Sequence, residues 1–294
     1  MKTLISVALL SFSLTLLTTS TIAQPRDMIW NQTFGGIGVD YGMCIEQTAD
    51  GGFIVVGATW SMGEGLSDVW LIKTDSGGNE EWSTTFGGAG YDNGYGVQET
   101  DDGGYIVVAQ TSSFGPQGYD VWLIKTDDEG VEEWSETYNH NHNDFAYAVQ
   151  QTSDGGYIIT GYLIDNNDSW DVYLIKTDSE GEETWWYTYG GDQNDWATSI
   201  KQTDDGGYII SGTTQSIGAG IYNLLLMKTD SAGNELWMHA FGGDGSQNGW
   251  EVQQTYDDGY VVTGWTSSFG EGWHDVWLIK TDSGGNELWN QTYG

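Results

Sequence analysis

The apolar residues of this chain fall in short runs that predict strands rather than helices. In one stretch the run Tyr105–Val108 follows a glycine-rich turn, and the run Val121–Ile124 follows Asp120. β-branched and aromatic residues fill such runs, as strands prefer, and Gly, Asp and Ser separate them. No segment after residue 23 has a helical period of apolar residues. The pattern therefore predicts an all-β chain.

Four strands are predicted in each unit of the pattern, named A to D here. In the second copy they are a polar strand A (Tyr95–Thr100), two apolar strands B (Tyr105–Val108) and C (Asp120–Lys125), and a strand D that carries a tryptophan (Glu133–Tyr138). Polar side chains of a strand cost little free energy when they face water and much more when they are buried between packed sheets. We therefore expect strand A to line a central channel and strand D to lie outermost.

The unit repeats with a period of 52 residues, once shortened to 51. A tryptophan marks each copy, at Trp30, Trp82, Trp134, Trp185, Trp237 and Trp289. A fixed period of this length made only of strands is typical of β-propeller blades. The sequence thus predicts five complete four-stranded repeats and a partial sixth from Trp289, with residues 24–294 forming the propeller.

The first 23 residues predict a signal peptide. Lys2 precedes the apolar stretch Leu4–Leu17, and Ala23 offers a small residue for cleavage. This stretch is too short and too rich in Ser and Thr for a membrane anchor, and no other segment could span a bilayer. The expected location is extracellular, either secreted or at the cell surface.

The two ends of the predicted propeller carry near-copies of one strand, Trp30–Phe34 and Trp289–Tyr293. Ring closure normally pairs the two chain ends within one blade, so only one copy can be the outer strand of the final blade. The surplus strand indicates either a fragment of a larger propeller or a closed five-blade disk with a redundant tail. A closed ring predicts a monomer, whereas an open one has exposed edges that favour association.

The repeated motifs resemble a known family. Trp82–Gly88 reads Trp-x-x-Thr-Phe-Gly-Gly, Gln151–Ile158 reads Gln-Thr-x-Asp-Gly-Gly-Tyr-Ile, and Asp120–Asp127 reads Asp-Val-Trp-Leu-Ile-Lys-Thr-Asp. These blades resemble a family of secreted bacterial and archaeal propeller repeats over residues 28–294, and more distantly the quinoprotein-type propellers with tryptophan docking. The resemblance implies the fold and an extracellular location. Some members are labelled endoglucanase, but the family implies no agreed catalytic residues.

The formal net charge of −35 narrows the possible partners. Nucleic acid and anionic membranes are poor partners, because the field of the protein repels phosphate. Calcium, cationic surfaces and neutral glycans remain compatible with this charge. Cys44 is the single cysteine, so an internal disulfide is excluded.

One repeat position accounts for most of the basic residues. It holds five of the eight Lys and Arg residues, namely Lys73, Lys125, Lys176, Lys228 and Lys280. A lysine beside apolar neighbours needs a carboxylate partner. We expect each to be buried and paired with a repeated acid of the adjacent blade, as a structural feature.

Two further repeat positions are acidic and open strands on the face where the loops vary. The first holds Asp40, Asp92, Asp144, Asp195 and Gln247, and the second holds Asp68, Asp120, Asp171, Asn223 and Asp275. These residues predict turn capping through side-chain to backbone hydrogen bonds. A ring of calcium sites is the alternative, although no Asp-x-Asp-x-Asp loop is present.

The third repeat differs from the others in two loops of the same face. Its candidate transition-metal ligands are His140, His142, Asp144, Asp165 and Asp168. Two histidines spaced two residues apart near carboxylates can hold such a metal, but they form an incomplete set. Drift of one loop towards polar residues explains the same pattern.

Equal repeats favour a binding or scaffold module over an enzyme, since catalysis usually needs one unequal site. We expect ligand contacts on the variable loops, where Trp60, Trp170 and Trp273 could stack on carbohydrate or protein, as several similar weak sites that gain strength through multivalency. The alternative is an endoglucanase-like glycoside hydrolase with paired carboxylates on that face. A quinone-cofactor dehydrogenase is disfavoured by the few basic residues. No cofactor is assigned.

Overall fold

Twenty strands in five four-stranded antiparallel sheets make up the fold in the computed structural model, which describes residues 30–116, 118–140, 143–164 and 168–294. No helix occurs among these residues. Each sheet is one blade, and its four strands follow one another in sequence as predicted. The predicted signal peptide lies outside the described residues.

The strands of the first three blades have the following bounds. Blade 1 comprises β1 (Asp40–Gln47), β2 (Phe53–Thr59), β3 (Asp68–Thr74) and β4 (Glu80–Phe86). Blade 2 comprises β5 (Asp92–Glu99), β6 (Tyr105–Thr111), β7 (Asp120–Thr126) and β8 (Glu132–Tyr138). Blade 3 comprises β9 (Asp144–Gln151), β10 (Tyr157–Ile164), β11 (Trp170–Thr177) and β12 (Glu183–Tyr189).

The last two blades follow the same pattern. Blade 4 comprises β13 (Asp195–Gln202), β14 (Tyr208–Thr214), β15 (Asn223–Thr229) and β16 (Glu235–Phe241). Blade 5 comprises β17 (Gln247–Gln254), β18 (Tyr260–Thr266), β19 (Asp275–Thr281) and β20 (Glu287–Tyr293). The first strand of each blade contacts the first strand of the next, so strand A is innermost and strand D outermost, as expected.

The hairpin between strands A and B shows why glycine recurs there. In blade 1, Gly51 has a φ of +85°, which a residue with a side chain rarely adopts. The carboxylate of Asp50 accepts a hydrogen bond of 2.8 Å from the amide of Gly52 and so closes the turn. This turn and the turn between strands C and D lie on one face of the blades, and the two longer loops lie on the other.

The hydrophobic core is divided among the junctions between consecutive blades. Each junction packs strands B, C and D of one blade against strands A, B and C of the next, as Leu71 and Phe86 pack near Val107 and Trp122 between blades 1 and 2. Four such clusters are present for five blades. A closed ring of five blades would need a fifth.

The repeated tryptophan locks each junction at the outer edge. Trp82 in blade 1 packs on Tyr105 of blade 2, with 5.7 Å between ring centroids, and its ring covers Gly130 in the next C–D turn. Gly130 has a φ of +79° and leaves the space that the indole fills. The same docking recurs at Trp134, Trp185 and Trp237.

The face of blade 5 that would pack on a further blade is exposed. Val276 is 57% exposed, whereas its counterpart Val121 is fully buried, and Tyr293 is 58% exposed whereas Tyr138 is 6% exposed. On the opposite side of the gap, Ile45 of blade 1 is 38% exposed, but its counterpart Val97 is 5% exposed. Within the described residues, blades 5 and 1 therefore share no core, and the ring is open.

The competition between the two near-copies is resolved in favour of the C-terminal one. Strand β20, which contains Trp289, is the outer strand of blade 5, whereas the segment Trp30–Phe34 belongs to none of the five sheets. Trp30 instead packs on Phe53 of blade 1, as the outer tryptophan of a preceding blade would. Of the two alternatives left open by the sequence, the closed five-blade disk with a redundant tail thus disagrees with the structure.

Among the described residues, no helix is long and apolar enough to cross a membrane.

Candidate functional site

The variable loops form one face, and backbone hydrogen bonds fasten the start of strand C in one blade to the start of strand A in the next. The amide of Asp92 donates to the carbonyl of Ser67 at 2.8 Å, and the amide of Asp144 donates to that of Tyr119 at 2.8 Å. The amide of Gln247 donates to Tyr222 in the same way. The loops are therefore held on a rigid scaffold, which favours a preformed surface.

Aromatic side chains form a continuous row across this face in blades 2 to 4. Neighbouring ring centroids lie 4.6 to 5.8 Å apart. We call this row the aromatic belt; in spatial order it comprises Tyr119, Phe145, Tyr162, Trp170, Trp196 and Tyr222. All except the buried Tyr162 are half-buried, so part of each ring reaches solvent.

Stacking inside the belt fixes the orientation of its rings. Tyr162 stacks on Phe145 with an interplanar angle of 10° and on Trp170 with an angle of 20°, both at 4.6 Å. Trp170 meets Trp196 edge to face at 5.8 Å. Offset-stacked and edge-to-face pairs are the favoured aromatic geometries, so the rings are held in place before any ligand arrives.

The belt arises mainly from two repeat positions. The position before the repeated acid or amide of strand C holds Tyr119, Trp170 and Tyr222 in blades 2 to 4. The second position of strand A holds Phe145 and Trp196 in blades 3 and 4, and also Tyr41 in blade 1, outside the belt. In blade 2 the latter position holds Asn93 instead. Comparison of the repeats position by position could have found the belt, but the sequence analysis selected only Trp170.

The three tryptophans selected from the sequence do not lie together. Trp170 lies at the middle of the belt, whereas Trp60 follows β2 in blade 1 and Trp273 lies in the loop before β19 in blade 5. Trp60 is 40% exposed and meets Tyr41 edge to face at 5.7 Å. Trp273 is 88% exposed. Aromatic rings on this face thus form a continuous belt in the middle blades and a separate pair in blade 1, and the expected set of similar ligand sites stays a prediction.

The aspartates that open strand A cap the preceding loop. Asp92 is fully buried and accepts hydrogen bonds from the hydroxyl of Thr111, from Ser113 Oγ at 2.6 Å and from the amide of Gly88 at 2.9 Å. Asp40 repeats this set with Thr59, Ser61 and Gly36. The hydrogen bonds agree with turn capping, and they occupy the oxygens that a calcium ion would need.

The aspartates that open strand C face those of the following strand A. Asp68 and Asp92 lie on either side of Gly87, where a Cβ atom would contact both carboxylates. Burial, and the neighbouring Asp92 after it, raise the pKa of Asp68 to about 6. Asp171 and Asp195 are arranged similarly across Gly190. These pairs are the paired carboxylates of the loop face; Asp68, Asp92 and Asp195 are buried beneath it, and Asp171 is half-buried.

At the other two junctions, the repulsion between two facing carboxylates is reduced either by substitution with amides or by a hydrogen bond from an amide. Between blades 4 and 5 both acids are replaced by amides, Asn223 and Gln247, which face each other across Gly242. Between blades 2 and 3 the amide of Asn139 donates a hydrogen bond to Asp120. The position thus accepts neutral and acidic partners alike, which is expected of a structural contact.

The predicted metal ligands of the third repeat are only partly described. His140 Nε2 lies 2.8 Å from Glu183 Oε2, and its ring packs on Trp186 at 4.1 Å. Asp144 is buried and accepts the amide of His140 at 2.7 Å, and Asp168 lies in the loop with a φ of +63°. His142 and Asp165 lie outside the described residues. Among the described residues no three potential ligands are grouped, and the metal set stays a prediction.

The repeated lysines are buried, but their partners differ from those expected. Lys125 is 3% exposed, and its Nζ lies 3.0 Å from Asp102 and 2.9 Å from Glu133, both in its own blade. It also donates to the carbonyl of Thr126 at 2.8 Å. Because every repeated lysine pairs with the A–B turn of its own blade, the expected partner in an adjacent blade was wrong.

The polar residues that end strand A join neighbouring blades. Gln151 accepts a hydrogen bond at 2.8 Å from the amide of Asp101 in the preceding blade, and Gln98 accepts one at 2.6 Å from the amide of Gln151. Their side chains thus act as inter-blade links on the face opposite the belt. The expectation that these residues only line a channel missed this role.

Sequence comparisons identify no relatives: no family model matches the chain, and no curated protein matches it. Solved structures do. A protein of unknown function from Dyadobacter fermentans DSM 18053 is similar at 12% identity and a TM-score of 0.56, over 87% of this chain and 83% of that one. An ancestral GH74 enzyme is similar at 13% identity and a TM-score of 0.51, over 89% of this chain but only 34% of the enzyme.

A third solved structure, YCF48 bound to D1 peptide, matches at 11% identity and a TM-score of 0.45 over 90% of this chain and 85% of that one. At such identities the likeness shows the fold alone. With its five four-stranded blades, the chain has the architecture of a β-propeller.

Proposed function

We propose that this protein is a secreted, non-enzymatic binding module whose aromatic belt stacks on a neutral polysaccharide. The observation that carries the proposal is the row of half-buried rings across the loop face of blades 2 to 4. Rings already held by one another lose little freedom on binding, which favours affinity. Tyr and Trp also combine an apolar ring with a polar group, a combination that suits a ligand with both C–H faces and hydroxyls.

Charge supports a neutral ligand. The protein carries 43 Asp and Glu against 8 Lys and Arg, and the five repeated lysines are buried in ion pairs near the opposite face. Lys201, near the inner end of strand β13 at that same opposite face, pairs with Glu251 at 3.2 Å. Among the described residues no lysine or arginine borders the belt, so an anionic ligand would meet only repulsion.

Binding without hydrolysis is supported by the position of the acids on this face. A glycoside hydrolase needs two carboxyl groups that flank the scissile bond. Asp68, Asp92 and Asp195 are 3%, 0% and 1% exposed, whereas Asp171, which faces Asp195, is half-buried. The three buried carboxyl groups cannot reach a substrate on the belt, so neither junction offers two accessible carboxylates, which supports binding over hydrolysis.

Native affinity electrophoresis in gels that contain hydroxyethyl cellulose, mannan or soluble β-1,3-glucan tests the proposal. We expect at least one of these polysaccharides to retard the protein, and Trp170→Ala to weaken the retardation roughly tenfold, since one aromatic contact is worth about 1.4 kcal/mol. Trp60→Ala and Trp273→Ala are matched controls, because they remove exposed tryptophans outside the belt and should bind as the wild type does.

Three results would count against the proposed function. Equal retardation of Trp170→Ala and the wild type would show that the belt is only structural. Retention by a basic peptide and by no polysaccharide would indicate a protein ligand. Release of new reducing ends from any of the polysaccharides would identify a hydrolase.

A further inference from the structure

The exposed faces of blade 5 and blade 1, at the two ends of the open ring, correspond to the two sides of the contact that recurs at the four internal junctions. The exposed face of blade 5 offers Val261, Val276, Leu278 and Tyr293 at the positions where blade 1 uses Ile54, Val69, Leu71 and Phe86 against blade 2. The corresponding face of blade 1 carries the partly exposed Ile45, Phe53 and Val55, and the buried Trp70 and Ile72, at the positions where blade 2 uses Val97, Tyr105, Val107, Trp122 and Ile124.

The acceptor and the donor of one polar contact between blades are also found separately, one on blade 1 and the other on blade 5. At the four internal junctions, a Glu or Gln of strand A accepts the backbone amide of the preceding A–B turn, at distances of 2.7 to 2.9 Å. The corresponding acceptor of blade 1 is the side-chain oxygen of Gln47, and the corresponding donor is the amide of Tyr256 in the A–B turn of blade 5. Tyr256 is 84% exposed, and the side-chain nitrogen of Gln47 donates to Gly51 of its own turn at 3.5 Å, as that of Gln202 does to Gly206.

We infer that blade 5 of one molecule docks on blade 1 of a second copy of this chain, in the register of the internal junctions. The contact is heterologous, since two different faces meet, and it can therefore repeat from molecule to molecule. It buries apolar side chains that are now in water, such as Val276 and Tyr293, and it pairs a free amide with a free acceptor. The inference is independent of the proposed polysaccharide binding.

For two copies to associate in this way, the segment that contains Trp30 must leave its place on blade 1 of the second copy. Trp289 is 43% exposed, because no following blade presents the Gly and Tyr or Phe pair on which the other repeated tryptophans dock. On the second copy that dock consists of Phe53 and Gly78, and Trp30 occupies it. The residues from Trp30 to Thr33 are identical in sequence to those from Trp289 to Thr292. Trp289 of the first copy can therefore replace Trp30, whose segment is held by no sheet.

The test uses two variants that each block one face. Val276→Glu places a charge on the open face of blade 5, and Ile45→Glu places one on the open face of blade 1; both positions are exposed in the single molecule, so its fold should not change. Val131→Glu is the matched control, because Val131 is 59% exposed in a turn outside both faces. Circular dichroism and thermal melting check the fold of each variant.

Sedimentation velocity over a hundredfold range of concentration measures the association. We expect the wild type and Val131→Glu to form dimers and larger species as concentration rises, and each blocked variant alone to stay monomeric. An equimolar mixture of the two blocked variants should form a dimer and nothing larger, because each supplies the face that the other lacks. Deleting residues 24–34, which removes Trp30, should strengthen the association.

Each contrary result overturns the inference. If the wild type is monomeric at every concentration, the exposed faces of blades 5 and 1 either contact each other within one molecule or remain in solvent. Association of Val276→Glu like that of the wild type excludes the face of blade 5. A mixture of the two blocked variants that stays monomeric excludes the head-to-tail arrangement.

Discussion

At the scale of single residues, the chain shows how one repeat position can hold either an acid or an amide. Asp68 faces Asp92 across one junction, whereas Asn223 faces Gln247 across another, and both pairs are buried. Two buried carboxylates repel each other and lose hydration, and two amides do neither. The internal repeats thus allow a buried pair of acids and a buried pair of amides to be compared at the same positions within one molecule.

The raised pKa of Asp68 predicts a pH dependence of stability. In the unfolded chain the pKa of an aspartate is near 3.8, and in the folded protein that of Asp68 is about 6. A raised folded-state pKa favours folding below pH 4, and this contribution is lost as the pH rises through 6. Asp68→Asn should therefore gain stability relative to the wild type between pH 4 and pH 7, by roughly 2–3 kcal/mol. Urea unfolding at several pH values measures this difference.

Asp230→Asn provides a control of opposite sign. Hydrogen bonds from Asn234 lower the pKa of Asp230, so its carboxylate contributes stability above its ordinary pKa and loses it on acidification. The deficit of Asp230→Asn should therefore grow as the pH rises from 3 to 5. If Asp68→Asn followed the same direction, the assigned crowding of Asp68 would be wrong.

The buried lysines predict a difference between two substitutions at one site. Lys125→Met keeps the packing of the apolar stem and loses the ammonium, whose carboxylate partners are 61% and 48% exposed and can be hydrated. Lys125→Ala loses the stem as well. We expect destabilisation by roughly 1–2 kcal/mol for Met and about 3 kcal/mol for Ala, measured by chemical unfolding. Unchanged stability in both variants would show that the pair contributes nothing.

At the scale of strands and blades, outer strands at the two ends have unequal roles. Strand β20 pairs with β19 along its length, whereas Trp30–Phe34 pairs with no strand. The same five-residue pattern is therefore structural at one end and peripheral at the other. Only the position along the chain separates the two, since their sequences nearly coincide.

Deletion of each end tests this difference. Removing residues 289–294 should lower the midpoint of thermal unfolding by several degrees, because blade 5 loses most of its outer strand and the ladder to β19. Removing residues 24–34 should change it little, because the described part of this segment, Trp30–Phe34, belongs to no sheet and its ring contact is that of Trp30 with Phe53. The reverse order of effects would mean that Trp30–Phe34 is the working outer strand in solution.

At the scale of the whole molecule, the repeat period predicted the blades and their strand order, and the polarity of strand A predicted its inner position. The sequence left an open and a closed ring as alternatives, because closure depends on the angle between blades and no residue type records that angle. The belt was missed for another reason. Trp170 was evident as a loop tryptophan, but Tyr162 meets it from the neighbouring strand of the same blade, and Trp196 meets it only after blades 3 and 4 pack.

The open ring also bears on how such a chain can change in length over evolution. In a closed ring, one blade more or fewer forces every blade to tilt by a new angle, so all junctions must be repacked together. Here, within the part of the chain that the structure describes, the hydrophobic clusters join consecutive blades, and the four junctions repeat one set of contacts. Duplication or loss of one 52-residue unit would therefore leave the other junctions as they are, much as in a solenoid. The number of blades is then free to drift, while the belt fixes which of them must be kept.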